Sequence, residues 1–580
     1  MPSDKDLEKL ARAEEAVRTA FDLIQLGASM LNKTETKRSE TATNATSQSN
    51  KRTAQLKKKI AASKKVITFD SDSESNSDST DFENEETTPE EDEDEDEEIH
   101  QTTIKQSKPE DDKAYLKYAN DYISFTQENP TTFHVVEYFG KLLEANGFTY
   151  LSEKKDWSDL TAGLYYTTRN GTSLGAFALG KNWKPEYGAG IIGSHIDSLA
   201  IKLKPVSKKA KVDGYELLGV APYAGALNYQ RLDRDLGISG RVLVRVKDSK
   251  SITGFKVVSK LISSAPKPIA RISSLAPHFG AAANPPFDTE TQTIPVLSYS
   301  PGPDPTPTEA EKNSRLYGKH SLDLLRYIAE LTEVSVEDLY QLDLDLFDVQ
   351  PGTIGGLKDD FIYAPRIDDR ICSFAALTSL LEFAEKPIPE GSFSQVMLYD
   401  NEEIGSLTRS GARSNLVNSI TERVITALFK ENVEALTRVS FANSIILSAD
   451  VTHVLDPNYK SEFMENHSPL PNTGIAIATD VSNSHMATDH VGIAVAETIA
   501  KLNGDTLQYF HVKNNARSGG TIGPSIASLT GARTIDLGIA QLSMHSVRAA
   551  VGVKDVYLGT KFFKGFFTHW RGVYDSFGDL

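Results

Sequence analysis

Five short segments scattered from residue 190 to residue 550 place His, Asp and Glu where apolar stretches end. They read Gly-Ser-His195-Ile-Asp197, Ile-Asp368-Asp369-Arg, Tyr-Asp400-Asn-Glu402-Glu403-Ile-Gly, Ser-Ala-Asp450-Val-Thr-His453 and Ser-Met-His545-Ser. Most of these runs have the length and composition of buried strands, so charged groups fall at strand ends. Burying charge there is costly unless a partner or a cation compensates it. Any fold for this chain must therefore gather or neutralise these groups.

The signal is collective. His195 and Asp197 lie two apart, so in extended chain they share a side, and the Asp can accept the second imidazole N–H. Alone, such a pair reads as a hydrogen-bonded core His. Asp368-Asp369 before Arg370 reads alone as a helix N-terminal acid pair. Glu402-Glu403 is harder to dismiss, because Asp400 stands two residues before it, and three carboxylates at one strand end repel each other without a cation. Adjacent residues point apart, so one Glu is free to bind metal while the other faces substrate. Asp450 follows Ile445-Ile-Leu-Ser-Ala, and His545 comes soon after Ile535-Asp-Leu-Gly-Ile. Two His and several carboxylates without thiolate suit zinc or another borderline divalent ion. A shared carboxylate implies a two-metal hydrolytic site.

Competing chemistries are missing. The Gly188-Ala-Gly190-Ile-Ile-Gly193 stretch has dinucleotide-motif spacing, but its glycines surround a strand instead of opening a helix. No P-loop and no H-E-x-x-H occurs. Cys372 is the single cysteine; it excludes an internal disulfide, sits in an apolar run and fits a chain made in a reducing compartment. The formal charge of −18 is local: 17 of the 80 acidic residues lie between Asp70 and Glu98, leaving 63 against 62 basic. The remainder offers no electrostatic case for nucleic acid or an acidic membrane. No run of 18 apolar residues predicts a membrane span, and the first residues lack a secretory core, so cytosolic synthesis is expected.

At 580 residues, two or three folded units plus tails are expected. Residues 1–30 hold an amphipathic helix, with Leu7, Leu10, Val17, Phe21 and Ile24 on one stripe. A lone helix of this length wants a partner. Residues 31–112 form a basic and then an acidic linker too polar to order. Helical spacing runs through Asp121 to Glu153, and strand patterns from Thr161 to His195. Residues 206–299 are rich in β-branched residues, Pro and Gly, predicting an inserted β unit. Helices and strands alternate from His320 onward, so 113–205 with 300–580 is expected to form an α/β layer sandwich.

Beside this reading, the folded part resembles the aspartyl/vacuolar aminopeptidase family of cocatalytic zinc exopeptidases. The segments carrying the likeness are Gly-Ser-His195-Ile-Asp197-Ser, Leu-Asp233-Arg-Asp-Leu, Ser-Leu-Ala-Pro-His278-Phe, Ala-Pro-Arg366-Ile-Asp368-Asp369-Arg, Asp400-Asn-Glu402-Glu403-Ile-Gly-Ser, Ser-Ala-Asp450 and Gln-Leu-Ser-Met-His545-Ser. The resemblance implies a three-layer αβα domain with a β-rich dimerisation insert, and two zinc ions per subunit. Asp368 would bridge the ions, His195 and Asp450 would hold one, and Glu403 and His545 the other. It further implies Glu402 as general base, Asp197 orienting His195, His453 near substrate, and His278 reaching a neighbouring subunit's site. A dodecamer built from dimers is implied as well. So is an N-terminal helix read by a selective-autophagy receptor for delivery to the vacuole, with cytoplasmic retention as the alternative.

Two departures stand out. Members selective for acidic residues carry a Lys where this chain has Ala478, and their Tyr-Gly-Gly-Gly is Tyr223-Ala-Gly-Ala here. The first favours peptides beginning with neutral residues such as Leu. The alternatives are an aspartyl aminopeptidase, an N-acyl amino-acid deacylase, or an idle cargo or scaffold protein.

Overall fold

The computed structural model describes the backbone of residues 109–580 and side chains from residue 112 onward. The expected N-terminal helix and the basic and acidic tracts lie outside the described residues.

Helix Pro109–Glu128 opens the described chain and Thr132–Ala145 follows it. Helical periodicity suggested continuation to Glu153, but Gly147 turns with φ +83° and strand Thr149–Tyr150 begins. The centre of the molecule is a 13-stranded mixed sheet. Its middle strand, Gly190–His195, lies parallel to Phe393–Tyr399 on one side and Ile445–Ala449 on the other. Arg533–Leu542 continues the parallel order beyond Ile445–Ala449. These strands are near-continuous apolar runs because both faces are covered.

Alternate residues show the coverage. Ile192 and Leu447 join a core that includes Leu377 and Leu380 of helix Ile367–Ala384, Phe563 and Phe566 of helix Asp555–Asp575, and Val495 of helix His490–Asn503. Ile191 and Ile446 face the other way, into Leu416 and Ile420 of helix Leu416–Phe429 and Ile526 of helix Gly523–Thr530. The result is an α/β sandwich of three layers. Parallel strands put their C-terminal ends on one edge, where a site of α/β sheets belongs. His195, Tyr399 and Ala449 end their strands there, carrying His195, Glu402-Glu403 and Asp450 to one place.

A second sheet of six antiparallel strands runs in the order Phe255–Ser263, Leu236–Lys247, Leu339–Asp348, Ala200–Lys208, Tyr215–Tyr223, Val296–Tyr299. It has its own core, completed by helix Leu322–Thr332. Ser321 caps that helix by accepting the Leu324 N–H at 3.2 Å. The expected boundaries at 206 and 299 miss this sheet's edges. It starts at Ala200, and strand Leu339–Asp348 returns between Leu236–Lys247 and Ala200–Lys208. Residues 300–348 therefore pack largely with the second sheet and not with the sandwich. Among the described residues no helix is long and apolar enough to cross a membrane.

Candidate metal centre

The donors converge from elements far apart in sequence. His195 Nε2 stands 3.3 Å from Asp368 Oδ1 and 3.5 Å from Asp450 Oδ1. His545 Nε2 stands 3.4 Å from Asp368 Oδ2 and 3.6 Å from Glu403 Oε2. Among the described residues, His195 with Asp368 and Asp450 forms one group able to hold a cation, and Asp368 with Glu403 and His545 forms another. Within each group the ligand atoms lie within 4.8 Å of one another, and Asp368 belongs to both. Two groups sharing one carboxylate are what a pair of cations needs.

The carboxylates of the site crowd one another and are largely withdrawn from water. Burial pushes Glu403 up to about 10, helped by Asp368, Asp197 and Glu402 and opposed by His195. Glu402 is pushed up to about 8 by burial, with Asp450, Asp197 and Asp368 adding to it and His195 opposing. Burial also raises Asp450. Burial would lower His195, but Asp450, Asp197 and Asp368 together hold it well above its ordinary value. Glu403 Oε1 is buried without a hydrogen-bond partner. Carboxylates crowded around one imidazole at low solvent exposure fit divalent cations better than they fit protons.

Asp197 organises the turn beyond its own strand. Its Oδ1 lies 3.4 Å from His195 Nδ1, and that nitrogen also meets the Asp197 carbonyl at 3.1 Å. The same carboxylate accepts the backbone N–H of Glu402 at 3.1 Å and of Glu403 at 3.2 Å. Tyr223 donates its hydroxyl to Asp197 at 2.6 Å, and Asn401 Nδ2 donates to Tyr223 at 2.9 Å. The family resemblance marked the Tyr223 segment without giving Tyr223 a role; it comes from the second sheet, and no local pattern reveals a role that depends on contact between sheets.

Asp369 does not join the donors. It turns away and accepts from Ser194 Oγ at 2.6 Å. Arg370 is fully buried and donates to the carbonyls of Ile196, Asn129 and Pro130, pairing with neither Asp. Asp400 also lies outside both donor groups. Cys372 is buried, in the core that also holds Leu377 and Leu380.

All five donors and Glu402 border one cavity of about 390 Å³. Its other walls include His453, Met486, Phe510, Val512, Met544 and the segment Arg517–Thr521. The rings of His453 and Phe510 lie tilted at 41° with centres 5.4 Å apart; withdrawal from water and then the nearby His545 lower the pKa of His453. His278 lies elsewhere, on the exposed turn Pro277–Ala283 beside Phe279. Ala478 is buried at the end of strand Ile475–Ala478, and its register partner Phe510 lines the cavity.

A three-layer αβα sandwich with a shared-carboxylate donor pair at the strand ends defines a metal-dependent hydrolase. The aminopeptidase I zinc metalloprotease (M18) family matches residues 125–567, and the chain belongs to that family. It is a zinc-dependent aminopeptidase. The vacuolar aminopeptidase 1 of Saccharomyces cerevisiae is 55% identical over 474 residues, spanning 80% of this chain and 91% of the relative. The aspartyl aminopeptidase of Aspergillus oryzae is 35% identical over 488 residues, spanning 78% and 96%. The solved dodecamer of mApe1 from S. cerevisiae superimposes with a TM-score of 0.72 at 52% identity, covering 80% of this chain and all of that one.

Proposed function

We propose that each subunit holds two zinc ions, one on His195 and Asp450, the other on Glu403 and His545, with Asp368 shared between them. The observation that supports this most is the pair of donor groups meeting at one carboxylate. Bound zinc would supply Lewis-acid polarisation of the first peptide carbonyl and acidify water beside it.

The chain's own residues do the rest. Glu402 borders the cavity without belonging to either donor group. It accepts a proton from the attacking water and returns it to the leaving amine. Asp197 holds the His195 ring in one orientation and fixes the Glu402-Glu403 turn. His453 faces the substrate from the cavity wall.

Met486, Phe510, Val512 and Met544 give the cavity apolar walls, so the favoured substrates begin with neutral or hydrophobic residues such as Leu. A second reading has one observation behind it. Arg517 borders the same cavity and makes no ion pair among the described residues, which would suit an acidic first residue. Leu-, Glu- and acyl-capped chromogenic substrates separate these readings and the deacylase reading in one assay. The mechanism itself is tested by Glu402→Gln. Retained metal with a fall in kcat of roughly 10²–10⁴ is expected; full activity would remove the assigned role.

The relative solved as a dodecamer and the exposed Val206, Tyr215, Val257 and Tyr299 of the second sheet support assembly through that sheet. His278 and Phe279, exposed on their turn, then approach a neighbouring subunit. Light scattering before and after Val257→Glu tests the assembly. Delivery to the vacuole rests on the name of the relative 55% identical and is tested by the location of a fluorescent fusion with and without residues 1–30.

A further inference from the structure

Two loops that carry no metal ligand wall part of the cavity, residues 479–489 with Met486 and residues 511–522 with Val512 and Arg517–Thr521. They follow the paired strands Ile475–Ala478 and Gln508–Phe510 and are fastened together beyond them largely by carboxylates. Asp480 accepts Ser482 N–H at 2.9 Å, Ser482 Oγ at 2.7 Å and Asn483 N–H at 3.2 Å within the first loop. It also accepts the Ser518 hydroxyl of the second.

Asp536 does the same from the sheet below. It is 1% exposed, in strand Arg533–Leu542, and none of the ion pairs in the described residues includes it. Its carboxylate accepts Thr521 Oγ1 at 2.6 Å from one loop and the Ala487 N–H from the other. Its backbone N–H donates to Thr488 Oγ1 at 2.8 Å, and that hydroxyl also donates to the Ala478 carbonyl at 2.8 Å. Thr521 N–H donates to the His485 carbonyl at 3.3 Å. Met486 is thus held on both sides, through His485 and through Ala487. The second loop closes tightly on the carboxylate: a Cβ on Gly523 would fall 2.0 Å from Asp536 Oδ1. A buried acid with no cation is expensive; here the amide and hydroxyl donors of two loops compensate it.

We infer that Asp536 is a positioning residue for substrate selection: through Thr521 and Ala487 it fixes Met486 and so sets which first side chains the cavity accepts. The inference rests on the reading that this cavity receives the side chain of the first residue.

The test uses the full-length, zinc-loaded enzyme with Ala-, Leu-, Phe- and Glu-p-nitroanilides, comparing Asp536→Asn, Thr521→Val and Thr521→Ser. Loosening Met486 is expected to lower the Leu-to-Ala ratio of kcat/KM roughly tenfold. The change should sit in KM, and in Asp536→Asn, whose side chain does not line the cavity, kcat on the Ala substrate should stay within about twofold of the parent. Thr521→Ser keeps the hydroxyl donor and should keep the ratio. Equal losses on Ala and Leu substrates, or an unchanged ratio in Thr521→Val, overturn the inference while leaving the substrate reading intact. Should Asp536→Asn fail to fold, the two Thr521 variants decide alone. A parent enzyme that hydrolyses only the Glu substrate overturns the substrate reading first, and the inference with it.

Discussion

Asp197 accepts the backbone N–H of Glu402 at 3.1 Å across 205 residues of sequence. One carboxylate thereby links the strand that presents His195 to the turn that presents the proposed base. Asp197→Asn keeps the volume but places an amide N–H among donors. Groups that support metal ligands typically contribute about 10–100-fold in metal affinity or activity. The expected result is a loss of that size in kcat, or in zinc retained after dialysis, read by atomic emission. Unchanged turnover and unchanged zinc would show that Asp197 has no orienting role.

Removing the cations should expose the repulsion they balance. In the chelated protein Glu402 and Glu403 are raised to about 8 and about 10, while unfolded chain returns them to ordinary values near 4.5. A raised carboxylate contributes stability at acid pH that is lost as pH climbs through the folded value. Chelated protein should therefore melt progressively lower from pH 6 to 9, and the gap to zinc-loaded protein should widen. Scanning fluorimetry at three pH values measures it. A gap that narrows with rising pH would contradict the charge balance described.

The site was legible because its parts end strands. His195, Glu402, Glu403 and Asp450 are each preceded by a buried apolar run, and burial makes charge at such places informative. The layer architecture was legible for a similar reason: both faces of the middle strands are covered, so their apolar runs are continuous. The limits of the second sheet were not. Leu339–Asp348 alternates Leu342, Leu344 and Leu346 with Asp343 and Asp345, a clean strand pattern. Nothing along the chain says that it pairs back onto Ala200–Lys208, because antiparallel pairing across more than 130 residues leaves no local mark. The role of Tyr223, and Met486 altogether, were missed on the same grounds: their neighbours at the site come from other segments.

Acid should weaken the second sheet through one histidine. His320 is buried, meets Ser207 Oγ at 2.8 Å, and is lowered to about 4 by burial and by Lys319. Its folded value lies below the unfolded 6.5. The neutral ring's contribution is therefore complete above 6.5 and is lost as pH falls toward 4. The loss is on the order of 3 kcal/mol at full protonation of the unfolded chain. His134 is lowered similarly and adds to the slope. The parent's Tm should fall between pH 7 and 4.5, and His320→Asn should flatten that fall even if it begins lower. Parallel curves for parent and variant would assign the acid sensitivity elsewhere.

Ala478 offers the sharpest control on residue preference. It ends the strand paired with Gln508–Phe510, and Phe510 walls the cavity. A lysine there would carry an ammonium up beside the apolar wall, where low polarity strengthens its attraction for a substrate carboxylate. The same low polarity makes the unpaired cation costly, so Ala478→Lys should melt below the parent. Its catalysis should change in sign. The Glu-to-Leu ratio of kcat/KM should rise, by roughly tenfold or more given that a buried charge is satisfied only by the acidic substrate. Ala478→Met, which adds comparable length without charge, should lower activity on both substrates and leave the ratio near the parent's. If Ala478→Lys loses activity on Leu and Glu substrates alike, this position does not govern the preference, and Arg517 becomes the group to vary.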